Sequence, residues 1–332
     1  MLKIFVSLLL SSSVFGETID KLHPLSIEFI DAINRQQNTW KAGKNFDENT
    51  PMSEIKKLTG SLKSNFKLPI KHHKTDVEIP DSFDSAEQWP QCKDVIGTIT
   101  DQSACGSCWA VAAASAMSDR RCIKSNGELK VPVSSEDLLA CCSFCGLGCN
   151  GGFSSMAWLY WKAEGIVTGG LYNSTDGCKS YSMLPCEHHT VVGPRPQCTD
   201  YDFSTPSCNK RCDNSALVYN DELTFGDGFP YTLNNAEDIQ REILQHGPVE
   251  ATFNVYEDFL SYKSGVYSYT MGSLIGGHAV RIVGWGVEND LPYWKVANSW
   301  NYDWGEEGYF KIVRGRNEVG FESDINAGLA NI

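Results

Sequence analysis

Four residues, Gln102, Cys108, His278 and Asn298, could do nucleophilic chemistry together. Cys108 heads an Ala-rich stretch through Arg121 without Gly or Pro, which predicts a helix with Ser107 as N-cap. A sulfur in the first turn sees the positive end of the helix dipole, which favours the thiolate. The thiolate is the nucleophile for acyl transfer. Histidine titrates in the range needed to take the thiol proton and return it to a leaving amine. His278 falls at the start of a predicted strand and Asn298 just after the next one. Asn298 can then accept the second imidazole N–H and hold the ring in place. Gln102, six residues before the cysteine, can aim its amide at an oxyanion beside the Cys108 N–H. One such donor is worth roughly 2.7–4 kcal/mol of barrier. Singly these are a disulfide half, a core histidine, a turn residue and an uninformative glutamine. Their joint order and flanks carry the reading.

The elements around them explain the cysteines. Met1–Gly16 has Lys3, an apolar run from Ile4 to Leu10 and then small residues, the layout of a signal peptide cleaved after Gly16. Secretion implies an oxidising compartment, where the 13 cysteines are expected to pair. An odd count leaves at least one thiol over. All 13 lie between Cys92 and Cys212, whereas the near-neutral stretch 17–78 has none and reads as a pro-segment. In it Ile27, Ile30 and Ile33 predict one helix, and Ile55 and Leu58 a shorter one. Further helices are expected at 134–140, Met156–Glu164 and Ala236–His246, the last ended by Gly247-Pro248. Strands are expected at 249–255, 278–286, 293–300 and 308–313. A helix-rich half (about 91–225) thus meets a strand-rich half (about 226–332, plus 79–90), an α+β fold with a cleft between two lobes.

The 332 residues are 42% hydrophobic and 11% aromatic, enough for a real core and unlike a disordered chain. A net charge of −13 excludes a typical nucleic-acid binder. Past the N-terminus no apolar run approaches the ~20 residues that span a bilayer, so no membrane association is expected. Cys141, Cys142, Cys145 and Cys149 are spaced closely enough for a zinc site, but secretion and the lack of a second such cluster favour disulfides. No metal or cofactor is expected. Asn173-Ser174-Thr175 is a plausible glycan acceptor.

The run Cys105-Gly-Ser-Cys108-Trp109 resembles the papain family of cysteine proteases, and the chain from about His23 to Ala327 resembles its cathepsin B branch. The pro-segment pieces HPLS, TWKAG and NF and the stretch IPDSFDSAEQWPQC from Ile79 carry that resemblance too. It implies a papain-like two-lobe fold made as a zymogen, with residues 17–78 inhibitory and 79–332 mature. It also implies the pairs Cys92–Cys122, Cys105–Cys149, Cys141–Cys208, Cys142–Cys145, Cys178–Cys212 and Cys186–Cys198, with Cys108 free. Arithmetic alone could not choose them, as twelve cysteines allow on the order of ten thousand connectivities.

His278 and Asn298 lie 170 and 190 residues beyond Cys108. The papain pattern has roughly 130–150. The Cys-rich stretch 178–212 can supply the excess, and within it 186–198 resembles the occluding loop that closes one end of the cleft. There His188 and His189 would hold a peptide's C-terminal carboxylate. The resemblance implies release of C-terminal dipeptides, with endopeptidase action when the loop swings away. The latch would be His188 with Asp101 and Arg195 with Asp303, in a loop one residue longer than usual. Gly151 and Gly152 would meet the substrate backbone, Trp300 would line the substrate surface, and Asp324 would sit at the base of the S2 pocket. Expected partners are peptide and protein substrates, the chain's own pro-segment and cystatin-like inhibitors. A monomer of the secretory route, lysosomal or extracellular, is expected.

Overall fold

The computed structural model describes residues 22–74, 77–189, 193–201 and 203–332. The expected signal peptide and loop residues 190–192 lie outside the described residues.

In the pro-segment, helix α1 (Ile27–Gln36) is capped by Ser26, whose side chain accepts the Phe29 N–H. It buries Phe29, Ile30, Ala32 and Ile33 and leaves Ile27 51% exposed, so the apolar face is rotated from the isoleucine stripe. Phe29 takes the place expected for Ile27. Strand β1 (Trp40–Ala42) and helix α2 (Met52–Lys56) follow.

The body opens with β2 (Phe83–Asp84) and the short helices α3 (Ser85–Gln88) and α4 (Lys93–Ile96). Helix α5 (Cys108–Lys124) runs through the helical half, with Trp109, Ala113 and Met117 buried. Ser107 occupies its N-cap position without capping it, because the hydroxyl pairs with the Tyr181 hydroxyl at 2.7 Å. Helix α6 (Ser135–Cys141) is capped by Ser134, which accepts from Asp137 N at 3.0 Å. Helix α7 (Ser154–Ala163) begins two residues before Met156, and strand β3 (Ile166–Val167) follows it.

The β half comprises β4 (Leu223–Leu233), helix α8 (Ala236–His246), β5 (Val249–Tyr256), β6 (Tyr262–Tyr267), β7 (Leu274–Glu288), β8 (Leu291–Ala297), β9 (Tyr309–Val313) and β10 (Ile325–Asn331). The sheet order is β1-β6-β9-β8-β7-β5-β10-β4-β3, with β2 on β7. Pairing is antiparallel except between β6 and β9. Strand β7 starts four residues before His278, which places His278 opposite Phe253 of β5. The fold is α+β, a helical half set against a sheet half as expected.

Two cores result. The larger joins the β half to the pro-segment: Phe29, Ile33 and Trp40 pack in one cluster with Phe259, Tyr262 and Trp304. Asn45 adds polar pins, its Nδ2 donating to the Leu260 and Tyr262 carbonyls at 2.8 Å each. The smaller core gathers Trp109, Met117, Leu138, Trp158 and Trp161 in the helical half. Disulfides join Cys92–Cys122, Cys105–Cys149, Cys141–Cys208, Cys142–Cys145, Cys178–Cys212 and Cys186–Cys198. The zinc alternative falls, because all four candidate sulfurs are bridged and zinc needs thiolates. Cys108 is the free cysteine.

Candidate active site

Helix α5 puts Cys108 at its first residue, β7 carries His278, and Asn298 follows the end of β8. The helical half thus supplies the sulfur and the β half the ring. His278 Nε2 lies 2.7 Å from Asn298 Oδ1, which also accepts the Ser299 N–H at 2.9 Å, so the amide that orients the ring is itself oriented. His278 Nδ1 is buried without a hydrogen-bond partner among the described residues. The next residue, Ala279, packs in one buried cluster with Cys108 and Ala112. Trp300, expected at the substrate surface, is fully buried instead and lies on the imidazole, ring centres 4.9 Å apart. His278 and Asn298 are themselves buried, so their bond lies away from water, which strengthens it.

The pro-segment covers this constellation with main chain. Gly60 donates its N–H to Cys108 Sγ at 3.2 Å. A side chain there is impossible, since a Cβ would stand 1.9 Å from the Gly106 carbonyl oxygen. Gly152 donates to Gly60 O and accepts from Leu62 N, both at 2.8 Å, and Ser61 N donates to Gly277 O at 3.0 Å. Gly151, at φ 105°, makes the turn that presents Gly152. Gln102 Nε2 donates to Cys105 O at 2.8 Å and to the pro-segment carbonyl of Leu58 at 3.2 Å, while its Oε1 accepts from Ser299 Oγ at 2.7 Å.

Burial beneath this cover sets the electrostatics. It pushes the Cys108 thiol up to about 11, against the opposing pull of the Ala279, Gly60 and Trp109 N–H groups. It also pushes His278 down to about 4, against the Asn298 oxygen. In the pro-form both groups are therefore uncharged at neutral pH.

At the other expected site, His188 Nε2 is 3.2 Å from Asp101 Oδ1, and Arg195 Nη2 is 2.5 Å from Asp303 Oδ2. His189 Nε2 also approaches Asp303, at 3.4 Å. Burial, with His188 beside it, pushes His189 down to about 3 despite Asp303. Two residues outside the sequence reading complete the loop: Glu187 accepts from Arg195 N at 3.0 Å, and Asn301 Nδ2 donates to Cys186 O at 3.2 Å. Asp324 accepts from Thr252 Oγ1 at 3.1 Å and from Asn326 Nδ2 at 3.3 Å. Near it lies Glu250, also not singled out, fully buried and accepting from Trp158 Nε1 at 2.7 Å. Burial pushes it up to about 8, with Asp324 adding to the shift. The sequence carried no signal for it, because in the alternation of VEATFNV Glu250 falls on the polar side with Thr252 and Asn254.

A helix-borne thiol, an amide-held imidazole and a side-chain amide beside them, all under a backbone cover, define the cleft of a thiol peptidase in its pro-form. Residues 79–329 match the model of the papain family cysteine proteases, and residues 25–65 match the peptidase family C1 propeptide. The chain belongs to the papain family of cysteine proteases and is made with a propeptide, as a zymogen. A cathepsin B-like cysteine proteinase of Schistosoma japonicum is 46% identical over 99% of both chains. Cathepsin B-like cysteine proteinase 6 of Caenorhabditis elegans is 45% identical over 92% of this chain and 83% of its own length. Among solved structures, procathepsin B S9 of Trypanosoma congolense matches with a TM-score of 0.81 and 38% identity, covering 94% of this chain and all of that one. The chain is cathepsin B-like in sequence and fold.

Proposed function

We propose that Cys108 attacks the scissile carbonyl, that His278 takes its proton through Nδ1 and returns it to the leaving amine, and that Asn298 holds the ring. Gln102, freed from Leu58, donates to the oxyanion beside the Cys108 N–H. The observation that carries this reading is the 2.7 Å Nε2–Asn298 bond, which leaves a bare, buried Nδ1 on the residue that precedes Ala279. In this reading residues 17–78 are the inhibitory segment, the mature enzyme starts near Ile79, and Gly151 and Gly152 accept the substrate backbone that the pro-segment now imitates.

We further propose that residues 186–198 close one end of the cleft and that His188 and His189 receive a substrate's terminal carboxylate, giving release of C-terminal dipeptides. The contacts of His188 with Asp101 and of Arg195 with Asp303 support a latched loop. Endopeptidase action follows when the latch opens. Asp324 at the S2 base accepts apolar P2 side chains and also Arg, the latter more weakly than a Glu there would, because Asp is one methylene shorter. Asn173, in an exposed turn, carries the glycan of a protein on the secretory route to lysosome or exterior.

Mass spectrometry of products from one peptide, with a free or an amidated C-terminus, tests the dipeptide assignment. Stepwise loss of two residues from the free form alone is expected; equal cleavage of both forms overturns it. His188→Ala should raise internal cleavage relative to dipeptide release severalfold.

A further inference from the structure

The pro-segment touches the body at a second place that the catalytic reading does not use. Beyond the cleft its chain runs past the edge of β4, where Thr232 N donates to Pro69 O and Lys71 N to Thr232 O, both at 2.9 Å, around a parallel bridge at Ile70. Edge pairing of this kind sets register, and side chains set specificity. Here three basic side chains meet two carboxylates spaced four residues apart on α8. Lys71 Nζ is 3.0 Å from Glu242 Oε2 and 4.1 Å from the centre of the Tyr231 ring. His73 Nε2 is 2.7 Å from the same Oε2, and its N–H donates to Asp238 Oδ1 at 2.8 Å. His72 Nδ1 is 2.8 Å from Asp238 Oδ2.

The receiving surface belongs to the body and is held rigid from behind. Glu242 Oε1 accepts from Arg120 Nη1 at 2.8 Å and from the Tyr231 hydroxyl at 2.6 Å. Arg120 is fixed in turn by the carbonyls of Pro248, Gly247 and Gly328. Glu242 Oε2, by contrast, is bonded among the described residues only by Lys71 and His73. The side chain is fully covered; burial alone would raise its carboxyl, but Arg120, His73 and Lys71 hold it well below the usual range. When the pro-segment leaves, an aimed and ionised oxygen loses both its partners.

We propose that Thr232, Tyr231, Asp238 and Glu242 form a peptide-binding exosite on the processed enzyme. Its ligand is an extended basic segment with Lys and His two residues apart, as in Lys71-His72-His73 of the chain's own released pro-segment. None of the contacts given above involves Cys108, Gln102, His278 or Asn298, so the exosite is separable from the thiol chemistry. A released pro-segment therefore has a holdfast on the enzyme besides the cleft.

The test uses enzyme processed from the full chain, by itself or by an added protease, with its thiol blocked by an epoxide. Fluorescence anisotropy then follows binding of a labelled peptide spanning residues 67–78. Saturable binding that weakens as salt rises is expected. Peptides with Lys71→Ala or His73→Ala should bind about tenfold more weakly or worse, and one with Lys67→Ala like the parent. On the enzyme, Asp238→Asn should weaken the parent peptide more than it weakens a His72→Ala peptide, since the carboxylate meets both the His72 ring and the His73 backbone N–H. The critical substitutions are in the peptide, so folding of the enzyme is not in question. No binding, equal binding of the alanine peptides, or binding that vanishes when the thiol is blocked overturns the exosite.

Discussion

In the helical half, six disulfides join cysteines from Cys92 to Cys212, and between β3 and β4 the described chain has only short 3-10 turns. In the β half no cysteine follows Cys212; rings of Phe253, Phe259, Tyr262, Trp300, Trp304 and Phe310 pack in one cluster, most of their pairs edge to face. A lobe built of long connections buries too little apolar surface to fix its loops, and covalent links replace the missing packing. A sheet lobe can do it with aromatic burial. The cleft needs both kinds of rigidity, because the sulfur comes from one half and the imidazole from the other.

The sharpest way to test that dependence is to remove each contribution. Cys108→Ala and His278→Ala should each lower kcat by about 10⁴-fold or more, and the double variant should lose no more than either, because the pair acts as a unit. Additive losses in stopped assays would break the picture of one site shared by two halves. Next in size is the thiol itself. With Cys108 pushed up to about 11 in the pro-form, its thiolate fraction at pH 7 is ~10⁻⁴. Iodoacetamide should alkylate the unprocessed chain about 10³-fold more slowly than the processed one, with a rate still rising at pH 9.

The two modes of support should also fail differently. Phe259→Ala opens a void in the aromatic cluster and should cost about 3–5 kcal/mol. Replacing Cys141 and Cys208 together by Ala opens the 67-residue link and should cost about 2–5 kcal/mol. Hydrogen exchange should place the first loss in the β half and the second in the helical half; the same amides loosening in both would erase the contrast. The smallest effect concerns the loop. His189 is pushed down to about 3 when the loop is closed and returns toward its ordinary value of 6.5 when it opens. Above 6.5 neither state binds the proton and pH has no effect. As pH falls below 6.5 the open state gains the proton first, so closure weakens progressively toward pH 3. Limited proteolysis at 186–198 should accordingly rise by about tenfold or more between pH 7 and 5, and His189→Ala should flatten that rise.

Much of this was legible in the residues. Ser134 and the Gly247-Pro248 stop bound their helices, and the alternation of VEATFNV and GYFKIV marks strands because one sheet face is buried. Strand β4 was not legible: Gly226, Gly228 and Pro230 punctuate it, and it survives because β10 pairs along it across a register shift. The Cys, His and Asn of the site stood out because their flanks are short-range signals. The contact of Lys71–His73 with α8 did not, since it joins residues about 170 apart; the available cue was acids four apart on α8 and a run of three basic residues. Nor could the sequence tell that burial beneath residues 58–62 silences the thiol, as that depends on how closely main chain meets main chain.

That closeness has a further meaning. At Gly60 the sulfur accepts the proton of a backbone amide, so the lone pair that would attack a substrate is engaged by the inhibitor's main chain. The arrangement tolerates only a residue with no carbon beyond the backbone, given the 1.9 Å gap to the oxygen of Gly106. A single methyl group added at this position would therefore divide a silent precursor from a leaky one, with every reacting atom unchanged.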